Sequence, residues 1–344
     1  MQLDNHTPWQ ADLIPGWAFE GHWQQTAVIK IGYQFELDGS LSPLPESAPL
    51  NYNDVFAAEP ESSSLDLCTD TVPFKSGFEI LIQGMMYAKP HICAQRLQAK
   101  LQQRDKTIWQ KTVNIFGPRQ WQSSIWGTAP GKPTPIGQFE PRWEHAYGGH
   151  HPEKEERFDL NPVGVCWHKL PKNQLLQHPL PQQESEPLLL KPGQKRIPAG
   201  FGPVASHWSP RVKAFGALDA DKAVAGLCPY TQSTPQNLYN YAPADQQLDQ
   251  SPNTDSRLHL NGWYADVPEL VLPLPTPSPQ LWRLSEGEKP EPVTLTWDTL
   301  LINTSDRQLH LLFRAGVRDD LYHPDTARIM LIDPQSQEGS DATV

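Results

Sequence analysis

Residues 26–37 read TAVIKIGYQFEL. Apolar and polar side chains alternate along them, and β-branched and aromatic types fill the apolar positions, the period-2 pattern of a half-buried strand. Asp38-Gly39 then supplies a turn. Residues 65–72, 79–87, 92–101 and 107–116 continue in the same manner, at spacings that predict an antiparallel sandwich or meander. The stretch CAQRLQAKLQQRDKTIWQKTVNIF (93–116) is rich in the helix formers Gln, Lys and Leu. In it Ala94, Arg96, Gln98 and Lys100 nevertheless alternate with Cys93, Gln95, Leu97, Ala99 and Leu101, and the second arm is β-prone. It therefore predicts a hairpin turning at Arg104-Asp105-Lys106.

Beyond Phe116 the pattern is irregular to about Asn261, and only residues 219–227 look briefly helical. The segment from Trp121 to Arg211 is dense in proline and aromatics, with the glycine clusters Tyr147-Gly148-Gly149 and Pro198-Ala199-Gly200-Phe201-Gly202-Pro203. Proline removes a backbone donor and glycine raises the entropy cost of ordering, so long helices are excluded. The tryptophans and aliphatics are too many for disorder. Strand patterns return at 257–264, 269–274, 281–284, 292–303 and 308–314. The expected fold is mainly β with little helix: one composite domain over 1–333, strand-rich at 20–120, loop-rich at 121–256 and strand-rich at 257–316. A polar tail follows at 334–344.

The chain has 344 residues, and its 36 prolines are about twice the usual share. Lys+Arg 28 against Asp+Glu 39 gives a net charge of −11, which argues against general binding of nucleic acid or anionic membrane, since both demand a basic surface. Cys68, Cys93, Cys166 and Cys228 stand far apart without a C-x-x-C pair and read as reduced and mostly buried. The first twenty residues hold Asp4, Asp12 and Glu20 and no apolar run, so no signal peptide is expected, and no segment has the length of a membrane span. The expected location is cytoplasmic.

No catalytic template is recognisable. Glu144, His145, His150, His151, Glu153, Glu155 and Glu156 are zinc ligands by type, but His145 and His150 are five apart across Gly148-Gly149, which breaks the helix that an i, i+4 pair needs. The reading is a bonded or solvated loop with no metal, a metal-dependent hydrolase using the His145–Glu156 region being the alternative. Cys166 and His168 invite a nucleophile and base, yet no orienting third residue is evident and core packing explains Cys166 more simply. Gly-x-Ser-x-Gly, phosphate-loop, dinucleotide and EF-hand patterns are absent. Trp143, Trp167, Trp208, Trp263 and Trp297 form either a carbohydrate platform or, more simply, part of a β core. No cofactor is expected.

Seven segments carry a resemblance: Asp70-Thr71-Val72-Pro73-Phe74-Lys75; Phe116-Gly117-Pro118-Arg119-Gln120-Trp121; Tyr147-Gly148-Gly149; Asn161-Pro162-Val163-Gly164; Pro198 to Pro203 with Trp208-Ser209-Pro210-Arg211; Ala242-Pro243-Ala244-Asp245-Gln246; and Asp298-Thr299-Leu300. In this order they resemble domain-of-unknown-function family 2169, encoded beside type VI secretion spike genes. The resemblance implies an adaptor or chaperone of PAAR-type spike tips and their toxin effectors, with a spike-tip protein, an effector or a co-chaperone as partner and no catalytic residues. Some relatives append pentapeptide repeats, which this sequence lacks. Large shaped loops with aromatics also suit macromolecular binding. The candidate partner-binding residues are Trp143, Tyr147, Phe201, Trp208 and Arg211. Gly148, Gly149, Gly200 and Gly202 are expected to hold backbone shape, and Asp70, Lys75 and Arg119 to make internal ion pairs.

Overall fold

The computed structural model describes residues 1–151, 154–167, 171–176, 178–285, 287–318 and 328–334. It is mainly β, with 42% strand against 6% helix, so sheet packing must supply the core. Ala94–Gln103 and Lys106–Phe116 pair antiparallel about Arg104-Asp105, with Arg104 at φ 50°, and the hairpin reading of this helix-like composition holds. The short helix Ala220–Val224 falls within 219–227, where Asp219 caps it by accepting from the Lys222 N–H at 3.1 Å.

Among the described residues, a seven-stranded mixed sheet runs Gln247–Leu248, Phe78–Gln83, Thr296–Asn303, Gln308–Arg318, Trp23–Phe35, Gln10–Trp17, with Leu41–Pro43 also on Trp23–Phe35. A five-stranded sheet runs Gln183–Glu184, Lys106–Phe116, Ala94–Gln103, Ser256–Tyr264, Val267–Pro273. Ile29, Ile31, Ile80, Ile82, Leu300 and Leu311 of the first meet Leu97, Leu101, Val113, Leu258, Leu260 and Leu272 of the second in one buried cluster. Each such side chain contributes about 1.5–3 kcal/mol by leaving water. A third, four-stranded sheet adds Leu281, Ile329 and Leu331 to the same cluster.

The pairing departs from a purely antiparallel plan. Phe78–Gln83 runs parallel to Thr296–Asn303, and Gln2–Asn5 parallel to Arg328–Ile332. Parallel neighbours need a long crossover. Here the five-stranded sheet and the loop-rich middle both lie within the crossover between Phe78–Gln83 and Thr296–Asn303. Several elements also differ in extent: 79–87 splits at Gly84 (φ 97°) into Phe78–Gln83 and Met86–Tyr87, 292–303 splits into Glu291–Val293 and Thr296–Asn303, and 65–72 keeps only Leu65–Leu67 as strand. The polar tail lies outside the described residues from 335 onward.

The loop-rich middle forms a third layer. Leu81 points away from the sandwich core and packs with Leu65, Val72, Trp143, Val204, Trp208 and Tyr241, so strand Phe78–Gln83 is buried on both faces. Trp121, Tyr147, Leu175, Leu180 and Leu189 form a smaller cluster within this layer. Its backbone is held by Asn161, whose amide donates to the carbonyls of Trp143 at 2.8 Å and Tyr147 at 3.2 Å. Gly149 stands at φ 107°, and a Cβ there would lie 2.5 Å from the Gly164 carbonyl oxygen. Gly200 is bounded by the Trp143 ring at 3.1 Å, whereas Gly202 has room for a Cβ and no positive φ, so sterics do not require glycine there. Replacing Gly149 by alanine is expected to cost about 2 kcal/mol or more from left-handed backbone plus backbone collision. A thermal melt lowered by several degrees, with Gly202→Ala close to wild type, is the expected outcome.

Candidate functional site

Alternation in Trp23–Phe35 sends Ile29 and Ile31 into the sandwich core, and therefore sends Thr26 and Lys30 to the opposite face. The register places Arg314 opposite Val28, His310 opposite Gly32 and Thr299 opposite Glu79 on that same second face. These polar groups are covered by the segment Asp70 to Lys75. Asp70 accepts from Lys30 Nζ and from the Asn51 N–H, both at 2.9 Å, while its carbonyl accepts from Arg314. Gln24 and Thr26 donate to the Pro73 carbonyl at 3.1 and 3.0 Å. Lys75 Nζ bonds Glu79 and donates to Thr299 Oγ1 at 3.0 Å. Glu79 in turn accepts the N–H groups of Tyr241 at 2.7 Å and Ala242 at 2.9 Å, and Arg314 is paired with Asp298. Three separate motif segments thus converge on one buried network. Asp70 and Lys75 make internal ion pairs, as does Arg119 with Glu184.

The network raises Pro73-Phe74 as a ridge between two depressions. On one side lies a cleft of about 340 Å³ and mixed polarity, walled by Phe19 and Phe74 and lined by Gln24, Lys75, Thr296 and Arg314. On the other lies a groove of about 430 Å³ lined by Val72, His207, Phe215, Tyr239 and Tyr241. Pro73 lines both. Phe74 is locked by edge contacts with Phe19, Tyr230 and Tyr239 at ring-centroid distances of 5.0–5.4 Å. The Phe74 ring is thus held among three aromatic neighbours.

This geometry offers little to a nucleophile. The buried carboxylates Asp298, Asp70 and Glu79 each bond a cation, with Glu20 an exposed carboxylate at the cleft rim, and burial pushes the Cys68 thiol up to about 12. Cys166 is pushed up to about 11 by burial, so it is a neutral thiol at pH 7, and its sequence partner His168 lies outside the described residues. All four cysteines are free and partly buried, less buried than expected. Glu144 is used by Ser64, accepting from its N–H and hydroxyl at 2.7 Å each, and His145 lies against the Phe139 ring. Burial holds the His145 pKa below the ordinary imidazole value. The His150 backbone pairs antiparallel with that of Arg157 and the His151 backbone N–H donates to the Glu156 carbonyl at 2.7 Å, while Glu153 lies outside the described residues. Among the described residues no group of three His, Cys, Asp or Glu side chains is placed to hold a metal ion.

The five residues singled out as partner-binding are all inside the molecule. Phe201 and Trp208 are 0% and 1% exposed, and Trp143, Tyr147 and Arg211 are buried. Trp143 donates Nε1–H to the Pro203 carbonyl at 2.9 Å, and Arg211 donates to the Val204 carbonyl at 2.7 Å and stacks over Tyr241 at 3.9 Å. On the closed molecule the accessible surface is made by other side chains. Trp143, Trp208 and Trp263 are core residues, while Trp167 and Trp297 are partly buried against Phe158 and Phe313. The two depressions carry no sequence signal of their own, because their linings come from segments far apart in the chain.

His310 reports on this network. Burial, reinforced by the Lys30 ammonium and opposed by Asp70, lowers its pKa from 6.5 to about 4. The unfolded chain takes up this proton as pH falls through about 6.5, and the native state only near 4. Its contribution to stability is thus complete above 6.5 and lost on descending to 4, at most on the order of 3 kcal/mol. Urea midpoints are expected to fall from pH 7 to pH 4.5, with a shallower fall in His310→Gln.

No curated protein and no solved structure matches the chain. A family model described as an uncharacterized protein conserved in bacteria (DUF2169) matches residues 20–314, which takes in the five-stranded sheet, the seven-stranded sheet without its edge strand Gln10–Trp17 and the end of Gln308–Arg318, the loop layer and the ridge. On that match the chain belongs to the bacterial family DUF2169.

Proposed function

We propose that this protein is a non-catalytic adaptor or chaperone of type VI secretion, acting in the cytoplasm, that holds a PAAR-type spike tip or its effector until loading. The observation that carries the reading is where the motif residues go. Asp70, Lys75 and Asp298 neutralise Lys30, Glu79 and Arg314 of the sheet, with Thr299 hydrogen-bonded between Lys75 and Asp298, instead of presenting an acid, a base or a nucleophile. What they leave at the surface is a ridge flanked by a cleft of mixed polarity and a more apolar groove, a shape that suits an extended segment of another chain. The resemblance to a family encoded beside spike genes supplies the class of client. No helix among the described residues is long and apolar enough to cross a membrane.

Shielding a client is stoichiometric, because the adaptor is occupied for as long as the client is held. Deleting the gene is therefore expected to lower the level or export of one spike-tip or effector protein while other cargo still leaves the cell. Ser206→Arg in the groove and Thr296→Arg at the exposed cleft rim are expected to reduce client co-purification at least about tenfold, with melting temperatures near wild type. Equal co-purification by both variants overturns the assignment of the ridge. Client loss on joint substitution of His145, His150 and His151, with a bound metal lost from a folded protein, favours the hydrolase instead.

A further inference from the structure

The segment Trp121–Ser124 pairs with Gly127–Pro130 as a β-hairpin whose two-residue tip is Ile125-Trp126. Both tip residues are 92% exposed. Tight hairpin loops are most cheaply made from Asn, Asp and Gly. Here the turn ends on Gly127 at φ 117°, while its two central positions hold a large aliphatic and the largest aromatic side chain. The base of the hairpin is fixed: Trp121 is buried beside Tyr147 and Leu180, and the Gly131 N–H donates to the Gln120 carbonyl at 2.8 Å. Arg119 just beneath is paired with Glu184 and stacked 3.8 Å from the Phe116 ring. A hairpin anchored at its base thus presents two apolar side chains to water.

We infer that this hairpin is a docking knob whose occupant is an uncharged, apolar pocket on a partner protein. Residues 120–131 carry no charge in a chain of net −11, so the tip has nothing to offer a basic or acidic surface. The same charge argues for a protein pocket over a bilayer. Two interfacial side chains without a basic patch give only marginal membrane binding, and anionic headgroups repel an acidic protein. Trp is also the residue most enriched among binding anchors that fill a partner's pocket, where a preformed turn loses little entropy on docking. The inference rests on the reading of the chain as a binding protein and places a second contact outside the ridge.

The test uses the full chain in the native bacterium with the photocrosslinker benzoylphenylalanine at position 126, and at position 224 as a control, since Val224 is also 90% exposed. The expected result is a discrete protein adduct from position 126 that is absent from position 224. Affinity of the purified adduct partner for the Ile125→Ser, Trp126→Ser double variant is expected to fall at least about 30-fold at unchanged melting temperature. Equal affinity overturns the knob while leaving the adaptor reading intact. Absence of any adduct from 126, tip-dependent flotation with phosphatidylcholine vesicles, or tip-dependent self-association in light scattering also overturns it. Failure of any partner to co-purify with wild type removes both readings.

Discussion

Three ionic groups on the second face of the large sheet govern how the rest of the molecule is arranged. Lys30, Glu79 and Arg314 sit on interior strands, at positions that neither the sandwich core nor open water can serve. A charge so placed is tolerated only when paired and hydrogen-bonded, and removing one partner of such a pair typically costs about 3–5 kcal/mol. Asp70, Lys75 and Asp298 supply the pairing, and the backbone of Tyr241 and Ala242 supplies the remaining donors to Glu79. Segments distant in sequence are thereby pinned to one patch. The height and direction of the Pro73-Phe74 ridge follow, and with them both depressions.

A layer built largely without ladders must satisfy its backbone by other means, which accounts for the joint abundance of proline and amide side chains. Proline lacks the N–H but keeps a carbonyl that still requires a donor when buried. Side chains and loop N–H groups meet that need: Gln24 and Thr26 at Pro73, Trp143 at Pro203, Arg119 at Pro181, and the Thr134 N–H at Pro118. Gln183 donates to the Ala199 carbonyl at 2.6 Å, and Gln246 to those of Ile80 and Phe201 at 2.6 and 2.8 Å. The Trp, Arg and Gln residues of the middle region act as an irregular substitute for a sheet edge, tying the loops to Phe78–Gln83.

This explains what could be read from the sequence. The strand expected at 26–37, which runs over Trp23–Phe35, and the hairpin about Arg104-Asp105 are legible because period-2 alternation is local. Alternation says which residues share a face and nothing about whether the other face is wet, so Lys30 reads as solvated although it is buried against Asp70. The same blindness affects Trp143, Tyr147, Phe201, Trp208 and Arg211. Aromatics among prolines look like a decorated surface, and only the unseen third layer reveals them as its interior. Gln10–Trp17 was not read because Asp12, Pro15 and Gly16 interrupt its pattern, as edge strands allow. Gln2–Asn5 and Arg328–Ile332 pair across nearly the whole chain, and no local signal announces such a partner.

A division of labour follows between the residues that carry the family resemblance and those left accessible at the surface. The motif side chains are buried in ion pairs and aromatic contacts, so substituting them changes the scaffold before it changes recognition. The accessible groups stand around them: Glu20, Gln236, Thr294 and Thr296 on the cleft, and Ile125 and Trp126 on the hairpin. None of these rim side chains is required by the buried network, so each can vary at small cost to the fold. If the chain is the adaptor proposed above, a scaffold of this kind holds a constant ridge while its rim is fitted to different clients. Specificity would then be found in the least patterned residues of the sequence, where motif reading has no purchase and only the assembled surface shows what stands beside what.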